Sequence, residues 1–430
     1  MNYQSTLKVS GSVASTAKKH RIFELFLVVF LWIFIFNPPL VSFINLTHVL
    51  GVAAIFYLML QRVSLPKYFV LAEFFAVVVY LYLLVVSLIH DRSGYFSLYP
   101  VYWIVDVLPI SFAVMHMCKR RKIGYQQFEK LVILAACLEM VLVFLALLVP
   151  SIQKTFISMM IQYGYQDSYF ETWAFRTYGL ASNLQFSSAL AMAITSLLCL
   201  NRMIATKEYR YFLLSILLVV AGYVNARTSL IVFLCGLMVI LFMNRRMKHA
   251  MQIFKILLSV IIVAFCILFY FSVAESSTQV LWLRDGIYEI LGLFSDDYKA
   301  HYSTFEYFLS SEKYTLPKNG FDLFFGTGTY ILMRNEYSVT SDIGYINDMW
   351  LGGLTYLFVV YGCVLAFFRK LFLKHRNHQY VRIVLSVLMT GIAVSNMKGT
   401  VLSFNNVSTL VILICIFAIG GIIDESRNNG

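Results

Sequence analysis

What this 430-residue sequence has little of is charge. Asp, Glu, Lys and Arg together make up 13% of it, against roughly a quarter in an ordinary soluble domain. That shortage excludes a water-soluble globule, because too few polar side chains remain to cover one. Disorder and a disulfide scaffold are excluded too. The 7 cysteines, at 118, 137, 199, 235, 266, 363 and 415, all fall in or at the ends of apolar runs. Neither disulfides nor a cysteine-based metal site is therefore expected. Also missing are a phosphate-cradling Gly-Lys-Ser loop, a His-Glu-x-x-His helix and a dinucleotide fingerprint. No nucleotide, cofactor or metal is expected.

Hydrophobic residues, by contrast, make up 60% of the chain, and its mean hydropathy is +0.75. Apolar stretches of spanning length recur from end to end, the pattern of an all-α polytopic membrane protein. A backbone in lipid must satisfy its own hydrogen bonds, so each stretch reads as one helix. Twelve are expected: 22–37, 47–61, 67–89, 100–118, 130–150, 183–200, 210–225, 228–244, 253–273, 350–368, 380–396 and 401–422. They place nine spans in 1–273, one large external loop at 274–349, and three spans with a tail in 350–430. The first run lacks a small-residue cleavage site and continues into Asn37-Pro38-Pro39. It reads as a retained anchor.

A net charge of +12 would suggest nucleic acid in a soluble protein. Here its distribution matters more, and no nucleic-acid partner is expected. With a cytoplasmic N-terminus, alternate loops hold Arg62/Lys67, Lys119-Arg120-Arg121-Lys122, Arg202/Lys207/Arg210, Arg245/Arg246/Lys248 and Arg369/Lys370/Lys374/Arg376. That side collects 24 of the 34 Lys and Arg, and the other side 10. Of the 22 acids, 14 are external and 5 cytoplasmic, while Glu73, Asp106 and Glu139 lie within spans. Basic loops stay inside. Both termini are therefore expected in the cytoplasm.

Two external loops are long, 151–182 and 274–349, and long loops in compact proteins usually carry function. The larger is rich in aromatic rings, among them Trp282, Tyr288, Tyr302, Phe305, Phe308, Tyr330 and Tyr345. Rings with scattered carboxylates suit a carbohydrate; the plainer reading of any one ring is an interfacial belt. Arg176 opens Arg176-Thr177-Tyr178-Gly179-Leu180, and Arg227 sits in the tight turn Asn225-Ala226-Arg227-Thr228-Ser229. Both guanidiniums are expected at the external surface, where the charge bias makes arginine scarce. Two permanently charged forks there match a phosphate or pyrophosphate head group. The alternative is snorkelling or pairing with a nearby carboxylate. Arg284, Arg334 and Lys398 are further cations on that side.

His301, inside the large loop, is a candidate base or donor near neutral pH, or a structural histidine. Asp342 and Asp348 flank the point of re-entry into the membrane, where a carboxylate could deprotonate a hydroxyl or cap the helix. Gly326-Thr327-Gly328 permits close backbone approach, or is a plain turn. Intramembrane acids are costly and face an interior or a cavity. Asp106 could line an external catalytic cavity or pair with Arg176 or Arg227. Glu139, near mid-span, could serve proton-coupled transport.

Taken together, these features resemble the polymerases and ligases of bacterial surface polysaccharide, in particular the O-antigen or oligosaccharide repeat-unit polymerases. The resemblance covers most of the chain. It rests on about a dozen spans and a dominant late external loop, and on Arg176-Thr-Tyr-Gly ahead of a span and the Asn-Ala-Arg227-Thr-Ser turn. Gly326-Thr-Gly328 followed by Asp342-Ile-Gly-Tyr and Gly352-Gly353 completes it. It implies a metal-independent glycosyltransferase with a helical bundle of the GT-C class in the bacterial inner membrane. The donor would be a glycan on undecaprenyl pyrophosphate, the acceptor a second lipid-linked repeat unit, and a chain-length regulator protein a partner. Arg176, Arg227, Arg284 and Arg334 would bind pyrophosphate, and His301, Asp342 or Asp106 would assist the attacking hydroxyl. A ligase delivering glycan to a lipid A core is the nearest alternative. A flippase of lipid-linked glycan is the alternative from another class.

Overall fold

A computed structural model of the chain describes residues 4–41, 44–91, 98–165, 170, 176, 179–182, 186–244, 282, 284–286, 288–289, 292, 310–330, 341–402 and 405–422. Of residues 4–19 only the backbone is described. Among the described residues the chain is helical, without strands. In order come α1 Gln4–Phe36, α2 Leu46–Leu60, α3 Lys67–Ile89, α4 Tyr99–Arg120 and α5 Tyr125–Leu148. Then follow α6 Pro150–Gln162, α7 Ser187–Thr206, α8 Arg210–Tyr223, α9 Thr228–Met243 and the six-residue α10 Gly320–Phe325. The last are α11 Gly344–Lys374, α12 Gln379–Ser395 and α13 Asn406–Gly420.

Five of these, α3, α4, α5, α7 and α11, have the length and apolar composition to cross a membrane. At 1.5 Å per residue a 30 Å hydrocarbon core needs about 20 residues. Helices α2, α8, α9, α12 and α13 are apolar but shorter, at 14 to 17 residues. Eleven of the twelve expected segments overlap a helix, five of them one of spanning length. The twelfth, 253–273, lies outside the described residues. Residues 151–162, expected as loop, belong to α6 instead, begun by Pro150 at its first turn, where a missing N–H costs nothing.

Contacts between helix ends fall into two groups. At one end Ser182 N donates to Phe36 O (3.1 Å) and Asn406 Nδ2 to Ile35 O (2.6 Å). There too His90 Nε2 meets Asp322 Oδ1 (2.9 Å) and Gln153 Nε2 donates to Arg176 O (2.9 Å). At the opposite end Arg202 Nη1 donates to Gln126 O (2.6 Å), and Gln379 Nε2 to Met243 O (3.3 Å). His375 there pairs with Ala418 O (2.9 Å). Between the ends the core is aliphatic and aromatic, with Leu27, Leu31, Phe128, Phe233, Leu385 and Phe417 fully enclosed.

Two helices are broken near the Arg176 end, each for a readable reason. In α4, Pro109 has no N–H to give the carbonyl of Val105 one turn back. The helix widens into a π-turn over Trp103–Val107, closed by Leu108 N on Trp103 O. Asp106 sits on that turn, and Gly51 of α2 lies so close that a Cβ would be 2.5 Å from both Val105 O and Asp106 Oδ1. In α11 the break is at Gly353, with φ +67° and ψ −169°, a conformation essentially confined to glycine. Thr327 N and Gly328 N donate to Trp350 O and Leu351 O at 2.8 and 2.9 Å. The carbonyls of the broken turn thus regain partners, as depth in a membrane requires. Gly326-Thr327-Gly328 is therefore more than a turn: the backbone it approaches is that of Gly352 and Gly353.

Candidate functional site

The Arg176 segment is held from below by a carboxylate in α5. Glu139 Oε1 accepts Leu180 N (2.8 Å) and Ala181 N (3.0 Å), and Oε2 accepts Trp32 Nε1 (2.8 Å). A Cβ on Gly179 would overlap Glu139 Oε1, so the glycine of the Arg-Thr-Tyr-Gly motif is what admits this approach. With three donors satisfied, Glu139 is a loop anchor. That structural role accounts for an acid that sequence alone leaves open to a transport reading.

Around Lys398 gather residues from three other regions of the chain, Asp342, Arg176 and Lys313. Lys398, in the turn between α12 and α13, pairs with Asp342 Oδ2 at 3.2 Å. Burial pushes the Lys398 ammonium below its ordinary pKa; Asp342 opposes that, while Arg176 and then Lys313 push it down further. Three cations and one carboxylate thus share one electrostatic neighbourhood. Each is fixed by local bonding. Gly344 packs against Gly399 O and Asn396 Oδ1, which brings the start of α11 to the Lys398 turn. Asn347 Nδ2 donates to Ser341 O (2.7 Å) and Ile343 O (3.0 Å), holding the backbone on either side of Asp342. Trp350 Nε1 donates to Thr315 O (2.8 Å), which ties down the 3-10 turn Ser311–Tyr314 that carries Lys313.

Asp348, expected beside Asp342 at the surface, is instead enclosed in the bundle. It accepts Tyr361 Oη at 2.6 Å and Asn396 Nδ2 at 3.3 Å. Periodicity explains the difference: six positions on, the helix has turned Asp348 inward. Neither aspartate caps α11; the bond at its start is Ile343 N to Ser341 Oγ, 3.2 Å.

Arg227 occupies the α8–α9 turn as expected, but it is buried and ion-paired. Nη1 donates to Glu289 Oε2 at 3.1 Å, both side chains being under 10% exposed. Nη2 donates to Trp282 O, and the guanidinium lies 4.6 Å from the centre of the Trp282 ring. Arg284 stacks on Tyr288 at 5.5 Å. This is the alternative the sequence offered, pairing with a nearby carboxylate: Arg227 meets an acid of the large loop and ties that loop to the α8–α9 turn. His301 and Arg334 lie outside the described residues.

Asp106 is fully enclosed and pairs with neither arginine in its hydrogen bonding; His48 Nδ1 lies 2.5 Å from its Oδ2. The His48 ring stacks on Tyr102 at 5.1 Å and 15°. His48 and Lys313 carry no local sequence signal. The one hint was a histidine at the start of a span opposite an intramembrane acid.

Compared with protein families, with curated proteins and with solved structures, the chain matches none.

Proposed function

We propose that this chain is a membrane glycosyltransferase that polymerises oligosaccharide repeat units carried on undecaprenyl pyrophosphate. In this reading the bundle has twelve spans with both termini in the cytoplasm of a bacterium. The Arg176 end faces outward from the inner membrane. The observation that carries the proposal is the Lys398–Asp342 pair with two further cations, Arg176 and Lys313, acting on Lys398. Three cations gathered from three separate stretches suit a diphosphate, and on an outward face they run against the general charge bias.

Chemically, the cluster holds the diphosphate leaving group. Its positive charge is already oriented, so it stabilises the negative charge that grows as the anomeric C–O bond breaks. Arg176 supplies the planar fork and the lysines supply point charges. The acceptor is the hydroxyl of a second lipid-linked unit, and a chain-length regulator acts alongside. Departure of a lipid diphosphate drives the transfer where nucleotide sugars are absent. Glu139 as a loop anchor, rather than a free acid, supports transfer over transport.

The test is complementation of a deletion strain. With Arg176→Ala or Lys398→Ala, surface glycan is displayed as single repeat units while the protein accumulates normally. Long chains from both variants would contradict the proposal.

A further inference from the structure

The His48–Asp106 pair is built unlike a structural ion pair. A purely structural pair in a membrane bundle would enclose both partners, since an ionised group exposed to lipid is costly. Here the Asp106 side chain is 0% exposed and that of His48 40%. Asp106 Oδ1 is buried with no hydrogen-bond partner, so among the described residues the side-chain hydrogen bond of Asp106 is the one to His48. The site also takes deliberate backbone work. Pro109 forces the π-turn that carries Asp106, a distortion that recurs at functional sites, and Gly51 leaves room for the carboxylate.

With Asp106 ionised, its carboxylate only accepts, and the 2.5 Å contact then has His48 Nδ1 donating to Asp106 Oδ2. Nε2 is then the lone-pair nitrogen, on the more exposed partner of the pair. Stacking on Tyr102 restricts the ring's rotation. Among the described residues the groups in contact with His48 are Asp106 and Tyr102 from α4; its chain neighbour Thr47 donates from Oγ1 to Asn37 Oδ1, 2.8 Å. Tyr163, at the end of α6, hydrogen-bonds Asn37 and lies near Tyr102.

We propose that His48 is the base that takes the proton of the attacking sugar hydroxyl, with Asp106 as its positioning residue. The inference rests on the transferase reading above. The hydroxyl oxygen forms the new bond to the anomeric carbon. The bond to the diphosphate oxygen breaks with its electron pair on that oxygen, and the hydroxyl proton passes to His48 Nε2. Asp106 stabilises the resulting imidazolium, which then gives its proton to water.

The experiment uses the full chain in phospholipid vesicles, with lipid-linked repeat units extracted from the deletion strain as substrate. Extension is followed as initial rate against substrate concentration. His48→Ala and His48→Gln are expected to lower kcat about 100-fold or more, leaving KM within about twofold. Added imidazole restores part of the His48→Ala rate. Asp106→Asn lowers kcat less. Full activity in both His48 variants overturns the inference. So does a loss that tracks lowered thermal stability and does not respond to imidazole. A wild type that fails to extend the substrate overturns the transferase reading itself, whereas an active wild type with unaffected His48 variants overturns only the role of His48.

Discussion

Arg176 and Arg227 stand at the same end of the bundle and were indistinguishable as sequence signals, yet their surroundings are opposite. Arg227 is buried against Glu289 and Trp282, one acid matching one base. Arg176 shares its neighbourhood with two further cations and one half-exposed carboxylate. Enclosing a matched pair fastens a loop; gathering cations prepares a site for an anion. The comparison teaches that an arginine at a membrane surface says little until its counter-charge is located. Glu289 stands 62 positions from Arg227, a separation no local motif spans.

The two arginines should therefore fail differently when removed. Arg227→Ala breaks a buried ion pair by removing one partner, and the expected loss is about 3–5 kcal/mol of stability, read as a lowered unfolding temperature in detergent. Arg227→Met combined with Glu289→Gln should recover most of it, because no lone charge remains. Arg176→Ala should cost about 100-fold in extension rate, or about 2.7 kcal/mol of transition-state stabilisation, with unfolding temperature unchanged. Gly179→Ala sits between them. Its Cβ must displace Glu139, at about 1–3 kcal/mol, and shift Arg176 with it, so both rate and stability fall. The smallest effect is on pH dependence. Burial lowers the Lys398 pKa, so its ammonium discharges below the pH at which an ordinary lysine would. Activity should fall as pH rises through that value, because the cluster loses a positive charge. Lys398→Arg should move this alkaline limb upward, since a guanidinium stays charged.

Much of the helical architecture was legible because an apolar run in lipid has one economical conformation. The run 67–89 matches α3 to the residue. The breaks were less legible: Pro109 and Gly352-Gly353 are visible in the sequence, but not that one widens a turn and the other receives Gly326-Thr327-Gly328. In the site, Arg176 and Lys398 could be named from the scarcity of cations on one side. Lys313 could not, because a bond from Trp350 to Thr315 brings it there. His48 was hidden for a similar reason: its meaning comes from Asp106, 58 positions away on another helix. Sequence periodicity reports which face of a helix is apolar; it does not report which polar residues of different helices meet.

The most direct test measures extension of lipid-linked repeat units by purified Arg176→Ala beside the Arg227→Met/Glu289→Gln double variant, both confirmed folded. A cationic cluster that binds the leaving diphosphate predicts single units from the first and long chains from the second. Long chains from Arg176→Ala, with extension lost in the double variant, would contradict it.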